Sequence, residues 1–249
     1  MRSPEEPSRV QPKRDFQLPH AILLDLDDTI LDIEGSAQEC WRRVCAEASE
    51  SLGIPGNTIY TTINKSRTWF WSDPERNRTG RLDLRAASRA VVEHALARLQ
   101  VGDVPTAHRI ADSFRDRRDA FTAPFPGAVE ALARLHERGV RLALMTNGPS
   151  GDQREKIERF GLAQYFDAVL IEGELGFGKP DPRVYRHALD ALDANPRSTW
   201  SAGDNLEWDV AGPQRLGVHG IWVNSRGEGL PPDSPVRPDR IVQALRDLV

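Results

Sequence analysis

The chain has 249 residues, 39% of them hydrophobic and 28% charged, with a formal net charge of -4. That balance suits one large globular domain, or a domain plus an insertion, and argues against a protein built to coat nucleic acid. No apolar run approaches the ~18 residues of a membrane-spanning helix, and the first residues lack the apolar stretch of a secretory leader. Neither a membrane nor a nucleic-acid partner is therefore expected, and the cytoplasm is the expected location.

Residues 1–19 are rich in Pro, Arg, Glu and Ser without periodicity and read as a mobile tail. Ala21-Ile22-Leu23-Leu24 is short and wholly apolar, which predicts a buried parallel strand. From 35 to 123 the apolar positions recur at helical spacing. Cys40, Trp41, Val44, Cys45, Ala48 and Leu52 form one stripe, and Leu84, Ala87, Val91, Ala95 and Leu99 another. Cys40 and Cys45, five residues apart on one helix, are poorly placed to bond and read as reduced and packed. No strand pattern interrupts this block, so 35–123 is expected to be a helical insertion closed by the turn Pro124-Phe125-Pro126-Gly127. Within it, Trp69–Gly80 reads either as a packed helix end with a polar loop or as a loop where Arg76 or Arg78 grips a substrate. Arg115, Arg117 and Arg118 alternate with acids and read as a solvated helix face.

After Gly127 helix and strand alternate. Helices are expected over 128–138, 152–160, 182–193, 209–216 and 239–248, and strands over 140–145, 167–171, 198–202 and 218–223. Asp181 is the expected N-cap of the third helix and Asp209 of the fourth. Repeated αβ units imply an α/β, Rossmann-like parallel sheet assembled from 20–34 and 124–249, with helices on both faces.

Four polar clusters follow predicted strands. The first is Asp25-Leu26-Asp27-Asp28-Thr29. Two carboxylates at i, i+2 on a strand share a side, so one can attack while the other moves a proton. The second is Thr146-Asn147-Gly148, a small anion cradle or a plain turn. The third is Lys179, in a proline-flanked turn before a helix. The fourth is Gly203-Asp204 with Asp209, where Asp204 can complete an oxygen site for Mg²⁺. The six histidines show no metal-ligand spacing. Each cluster alone matches by chance often enough, but all four fall at one edge of one sheet.

In the order and spacing of these clusters the chain resembles the haloacid dehalogenase-like hydrolase superfamily, over about 160 residues of core, and the helical insertion resembles its type-1 cap. The resemblance implies a Mg²⁺-dependent phosphatase of a small phosphorylated metabolite, working as a monomer or homodimer. It implies that Asp25 attacks phosphorus and that Asp27 protonates the leaving group and then activates water. It further implies that Thr146, Asn147 and Lys179 bind the phosphoryl group, and that Asp25, Asp204 and the main-chain carbonyl of Asp27 hold the metal. Haloacid dehalogenases generally lack the second aspartate, so Asp27 favours phosphoryl transfer. Phosphonate-cleaving members use a cap lysine, and Lys65, the one lysine of this insertion, has no such context. Phosphomutases share all four motifs and stay open, as does a non-catalytic phosphate-binding protein on the same fold.

Overall fold

The structure is a computed structural model in which residues 18–249 are described. All but the last two residues of the tail read over 1–19 lie outside them. Strand β1 (Ala21–Leu24) is buried along its whole length. The chain then leaves the sheet for five helices: α1 (Ile33–Leu52), α2 (Gly56–Trp71), α3 (Pro74–Gly80), α4 (Leu84–Leu99) and α5 (Val104–Phe121). It returns to α6 (Ala128–Glu137), β2 (Arg141–Thr146), α7 (Ser150–Arg159), β3 (Ala168–Ile171) and α8 (Glu172–Leu175). It ends through α9 (Pro182–Ala191), β4 (Thr199–Gly203), α10 (Gly212–Gln214), β5 (His219–Val223) and β6 (Arg240–Val242).

The sheet order is β3-β2-β1-β4-β5-β6, and every pairing is parallel. Alternation along the strands explains why both faces are covered. Ile22, Leu24, Leu142 and Leu144 pack with Leu132 and Leu135 of α6 and Ile157 of α7. Ala21, Leu23, Ala143 and Met145 pack with Val184, Tyr185 and Ala188 of α9. The chain reverses its winding between β1 and β4, and in such sheets ligands bind outside the carboxyl ends at that switch point.

The five inserted helices bury an apolar core of their own, around Cys40, Trp41, Val44, Ile59, Ile63, Val92 and Phe114. The stripes read from spacing are those that face inward, apart from Leu84, and Cys40 and Cys45 are free and buried. Aspartates cap most of these helices, with Asp32, Asp73, Asp83 and Asp103 each accepting a main-chain N–H of the first turn. The two crossings to the core lie side by side, with Asp32 N–H donating to Ala123 O and Phe125 N–H to Ile30 O, both at 2.9 Å.

Of the expected helices, one takes another form and one is absent. Over 209–216 the chain instead makes a π-helical turn, Leu206–Ala211, followed by the short α10. Over 239–248 it forms β6 and a 3₁₀ turn, Leu245–Leu248. The open edge of β5 offers backbone partners, and pairing Ile221–Val223 with Arg240–Val242 satisfies them where a local helix would not.

Trp41 stacks on Phe114 with ring centroids 3.7 Å apart and planes at 9°, joining α1 to α5. Trp41→Ala is expected to destabilise the protein by about 3–5 kcal/mol, the cost of truncating a buried aromatic. Denaturant unfolding followed by far-UV circular dichroism checks this, and a loss below about 1 kcal/mol would show that the insertion repacks.

Candidate active site

At the end of β1 the Asp25 N–H donates to Ala202 O of β4 at 3.1 Å, which carries the strand register into the first turn. Asp28 completes that turn with φ of 63°, a conformation aspartate tolerates better than most residues. Lys179 arrives from the loop before α9, whose N-cap is Asp181 as expected. The Asn147 side chain locks this loop from both sides. Its Nδ2 donates to Lys179 O at 2.7 Å, and its Oδ1 accepts the Lys179 N–H at 2.8 Å. Lys179 is 1% exposed, and its Nζ donates to Asp25 Oδ1 at 2.6 Å and Asp209 Oδ1 at 2.7 Å. Burial alone would depress this ammonium, but the Asp209 and Asp25 carboxylates outweigh it and hold it well above an ordinary lysine.

Asp209 is therefore a partner of Lys179 rather than the helix cap expected from sequence; Asn205 caps that turn. The second Asp209 oxygen accepts the Asn205 N–H at 3.0 Å, so both its oxygens are engaged. Gly203 makes room for it, since a Cβ there would come within 2.3 Å of Asp209 Cγ.

Carboxylate oxygens of Asp25, Asp204 and Asp209 lie within 4.8 Å of one another. Asp25 Oδ2 is buried with no hydrogen-bond partner. No donor among the described residues reaches the Asp204 carboxylate, although its main chain is pinned by Thr29 Oγ1 at 3.0 Å and Trp222 Nε1 at 2.8 Å. Burial pushes Asp25 up to about 7 in spite of Lys179, and burial with the neighbouring Asp25 and Asp209 pushes Asp204 up to about 9. Two crowded carboxylates with open oxygens are the donor set a hard divalent cation takes, so the residues fit a metal at Asp25 and Asp204.

The Asp27 side chain goes elsewhere. Lys156 Nζ reaches both its oxygens, at 2.9 and 2.8 Å, and Gln153 Nε2 reaches Oδ2 at 3.1 Å. Burial works to raise this carboxyl, but Lys156 and then Gln153 prevail and hold it below its ordinary value. Gln153 Nε2 also reaches Thr146 Oγ1 at 2.6 Å. Sequence reasoning missed both residues. The signal was present: they stand three apart on α7, and its buried face is Gln153, Lys156 and Ile157, two of them polar.

Above these groups lies a cavity of about 280 Å³, roofed by Ile33, Trp71, Asn77, Arg81, Leu84 and Arg118 of the insertion and walled by Trp208 of the core. Trp69–Gly80 is almost wholly helical, not a loop. Arg76 lies over the Trp69 ring at 4.1 Å, and Arg78 pairs with Glu75 in solvent, so neither reaches the cavity. Arg81, just beyond, does. It meets Glu172 with three contacts of 2.7–2.9 Å, tying the insertion to the core beside Gly148, whose N–H donates to the same carboxylate at 3.2 Å. Arg115 and Arg118 are buried, not solvated; Arg115 pairs with Asp152 of α7 at 2.9 Å, and Arg118 lines the cavity. Only Arg117 of the three is the surface residue expected, paired with Glu47.

Arg81→Ala strands the buried Glu172 carboxylate and is expected to cost about 3 kcal/mol of stability, whereas Arg78→Ala should leave Tm unchanged. Thermal unfolding of the two variants checks the assignment, and equal effects would refute it. The pH dependence has a definite sign. Asp25 and Asp204 have folded pKa values above their unfolded ones, so the stability tied to them is intact below about pH 4 and is lost as pH rises through about 7 and 9. A divalent cation that needs the ionised forms reverses this. If Mg²⁺ is that cation, any rise in Tm that it gives over EDTA should be larger near pH 9 than near pH 5.

The family model for haloacid dehalogenase-like hydrolases matches residues 19–217. A phosphoserine phosphatase of Thermus thermophilus is 37% identical, across 91% of this chain and 96% of its own length. A glyceraldehyde 3-phosphate phosphatase of Methanopyrus kandleri is 26% identical, across 92% and 97%. Among solved structures, the HAD-hydrolase YfnB of Bacillus subtilis bound to magnesium superposes with a TM-score of 0.72 at 20% identity, across 93% and 97% of the two chains, and shares the fold. The chain belongs to the haloacid dehalogenase-like hydrolases and stands among the phosphatases of that family.

Proposed function

We propose that the protein is a Mg²⁺-dependent phosphatase that hydrolyses a small phosphorylated metabolite through an aspartyl phosphate on Asp25. The observation that carries this reading is the unequal treatment of the Asp25 oxygens. Oδ1 is held by Lys179, and Oδ2 is buried without a partner beside the open Asp204 carboxylate. Lys179 fixes the carboxylate and supplies positive charge where an anionic phosphoryl group must approach an anion. Asp209 keeps Lys179 in place. Asp25, Asp204 and the main-chain carbonyl of Asp27 would hold the metal, which would offset the remaining repulsion when bound.

In the first half of the reaction a carboxylate oxygen of Asp25 forms a bond to phosphorus. The bond from phosphorus to the leaving oxygen breaks, and Asp27 in its acid form gives that oxygen a proton. In the second half Asp27 takes a proton from water as the water oxygen attacks phosphorus and the Asp25 carboxylate is released. Thr146 stands by for the phosphoryl oxygens. The Asn147 side chain holds the Lys179 loop through both its polar atoms, so it serves the phosphoryl group by positioning Lys179 rather than by the side-chain contact expected from sequence. The helical insertion acts as the cap, and Trp71, Asn77, Arg81, Arg118 and the core residue Trp208 shape the leaving-group space. Similarity to a phosphoserine phosphatase along nearly the whole chain supports phosphoserine as the first substrate to try.

Asp25→Asn keeps the shape and removes the attacking charge, so turnover of an aryl phosphate should fall at least about 10³-fold. EDTA should abolish activity, Mg²⁺ should restore it, and Asp204→Ala should raise the Mg²⁺ requirement or end turnover. Near-normal kinetics in folded Asp25→Asn, or full activity in chelator, would overturn the reading.

A further inference from the structure

Gln153 and Lys156, a helical turn apart on α7, are 2% and 9% exposed. Among the described residues they make every hydrogen bond the Asp27 carboxylate receives from side chains: Lys156 Nζ at 2.9 and 2.8 Å to its two oxygens, and Gln153 Nε2 at 3.1 Å. Gln153 Nε2 is also 2.7 Å from Asn147 O and 2.6 Å from Thr146 Oγ1, so one amide links the proton-moving carboxylate to the loop that meets the phosphoryl group.

The two forms of Asp27 do not fit this clasp equally. A carboxylate accepts on both oxygens, as an ammonium that spans both requires. A carboxylic acid carries a hydrogen on one oxygen, so it can accept from Lys156 fully on the other oxygen only and loses the two-oxygen clasp. Departure of the leaving group uses the acid form, whereas attack of water uses the carboxylate. The clasp therefore matches one half of the reaction and not the other.

We propose that Lys156, with Gln153, is a positioning residue for the second half-reaction, in which water attacks the aspartyl phosphate. The inference rests on the phosphatase reading above. In that step the water oxygen bonds to phosphorus, the bond from phosphorus to the Asp25 oxygen breaks with its electron pair returning to Asp25, and the water proton passes to Asp27. Lys156 touches neither water nor phosphorus; it holds the carboxylate that receives the proton.

The test compares wild type, Lys156→Met, Lys156→Gln and Lys156→Arg with p-nitrophenyl phosphate and Mg²⁺, by rapid mixing and in the steady state. In Lys156→Met a burst of p-nitrophenolate approaching one per active site should precede a steady rate at least about tenfold below wild type. KM should fall with kcat, leaving kcat/KM within about threefold, because that ratio reports only steps up to release of the phenol. Acid-quenched samples should hold accumulated phosphoenzyme. Lys156→Gln, closer in size and polarity, should show the same split if the methionine variant folds poorly. Lys156→Arg, which can span both oxygens, should recover most of kcat. A parallel fall of kcat and kcat/KM without burst or phosphoenzyme, or no change, in either folded variant would overturn the inference alone. Absence of turnover by wild type, on this ester and on phosphoserine, would instead remove the phosphatase reading and the inference with it.

Discussion

A fully buried lysine governs the architecture of the site. An ammonium taken out of water is tolerated only where opposite charge and hydrogen bonds replace the solvent. Lys179 obtains both from Asp25 and Asp209, 154 and 30 residues away in sequence. Asp25 can be there only because β1 is central and pairs with β4. Asp209 can be there only because the chain after β4 tightens into a π-helical turn over Gly203, which has no side chain to obstruct it. The loop that carries Lys179 is in turn clasped by Asn147 at the end of β2. Three strand ends are thereby brought to a single cation.

Around that cation, aspartates of one chemical type are given different properties by their surroundings. Asp209 has both oxygens occupied and serves as a fixed counter-charge. Asp25 has one oxygen held and one open. Asp204 is anchored by its main chain and leaves its carboxylate open. Asp27 is turned towards α7 and held by Lys156. Such separation of environments is how like groups come to take unlike roles in one reaction. The helical insertion adds a roof joined to the core by the Arg81–Glu172 pair, which reaches the same loop through Gly148. The roof of the cavity and the loop after β2 are thus mechanically connected. Because the fold is shared by enzymes of several chemistries, the phosphatase assignment rests on this arrangement and on relatives that match nearly end to end.

Much of this was legible in the amino-acid sequence. Strand β1, the parallel sheet, the helical insertion, the positions of Asp25 and Asp204 just after strands and that of Lys179 in the turn before a helix follow from local periodicity and from the placement of polar residues after apolar runs. Those signals are local because a strand's alternation and a helix's stripe each report which side meets the core. Other features depended on partners far along the chain. Residues 239–248 have enough helical character to suggest a closing helix, yet the free edge of β5 drew Arg240–Val242 into the sheet. Arg115 and Arg118 have the composition of a solvated face, and only the approach of α7 and the cavity buries them. Arg76 and Arg78 were the arginines that sequence pointed to, whereas helical geometry through α3 turns them away and leaves Arg81 to face the site. Gln153 and Lys156 showed only as two polar residues three apart on a helix, and what they meet was settled by the approach of α7 to Asp27. The sequence by itself determined which residues carry charge and where the buried strands β1 to β5 run, because both are properties of short stretches. Tertiary structure alone decided which charges meet, because a buried ion pair exists only where packing brings two distant segments together and excludes the water that would otherwise solvate each of them.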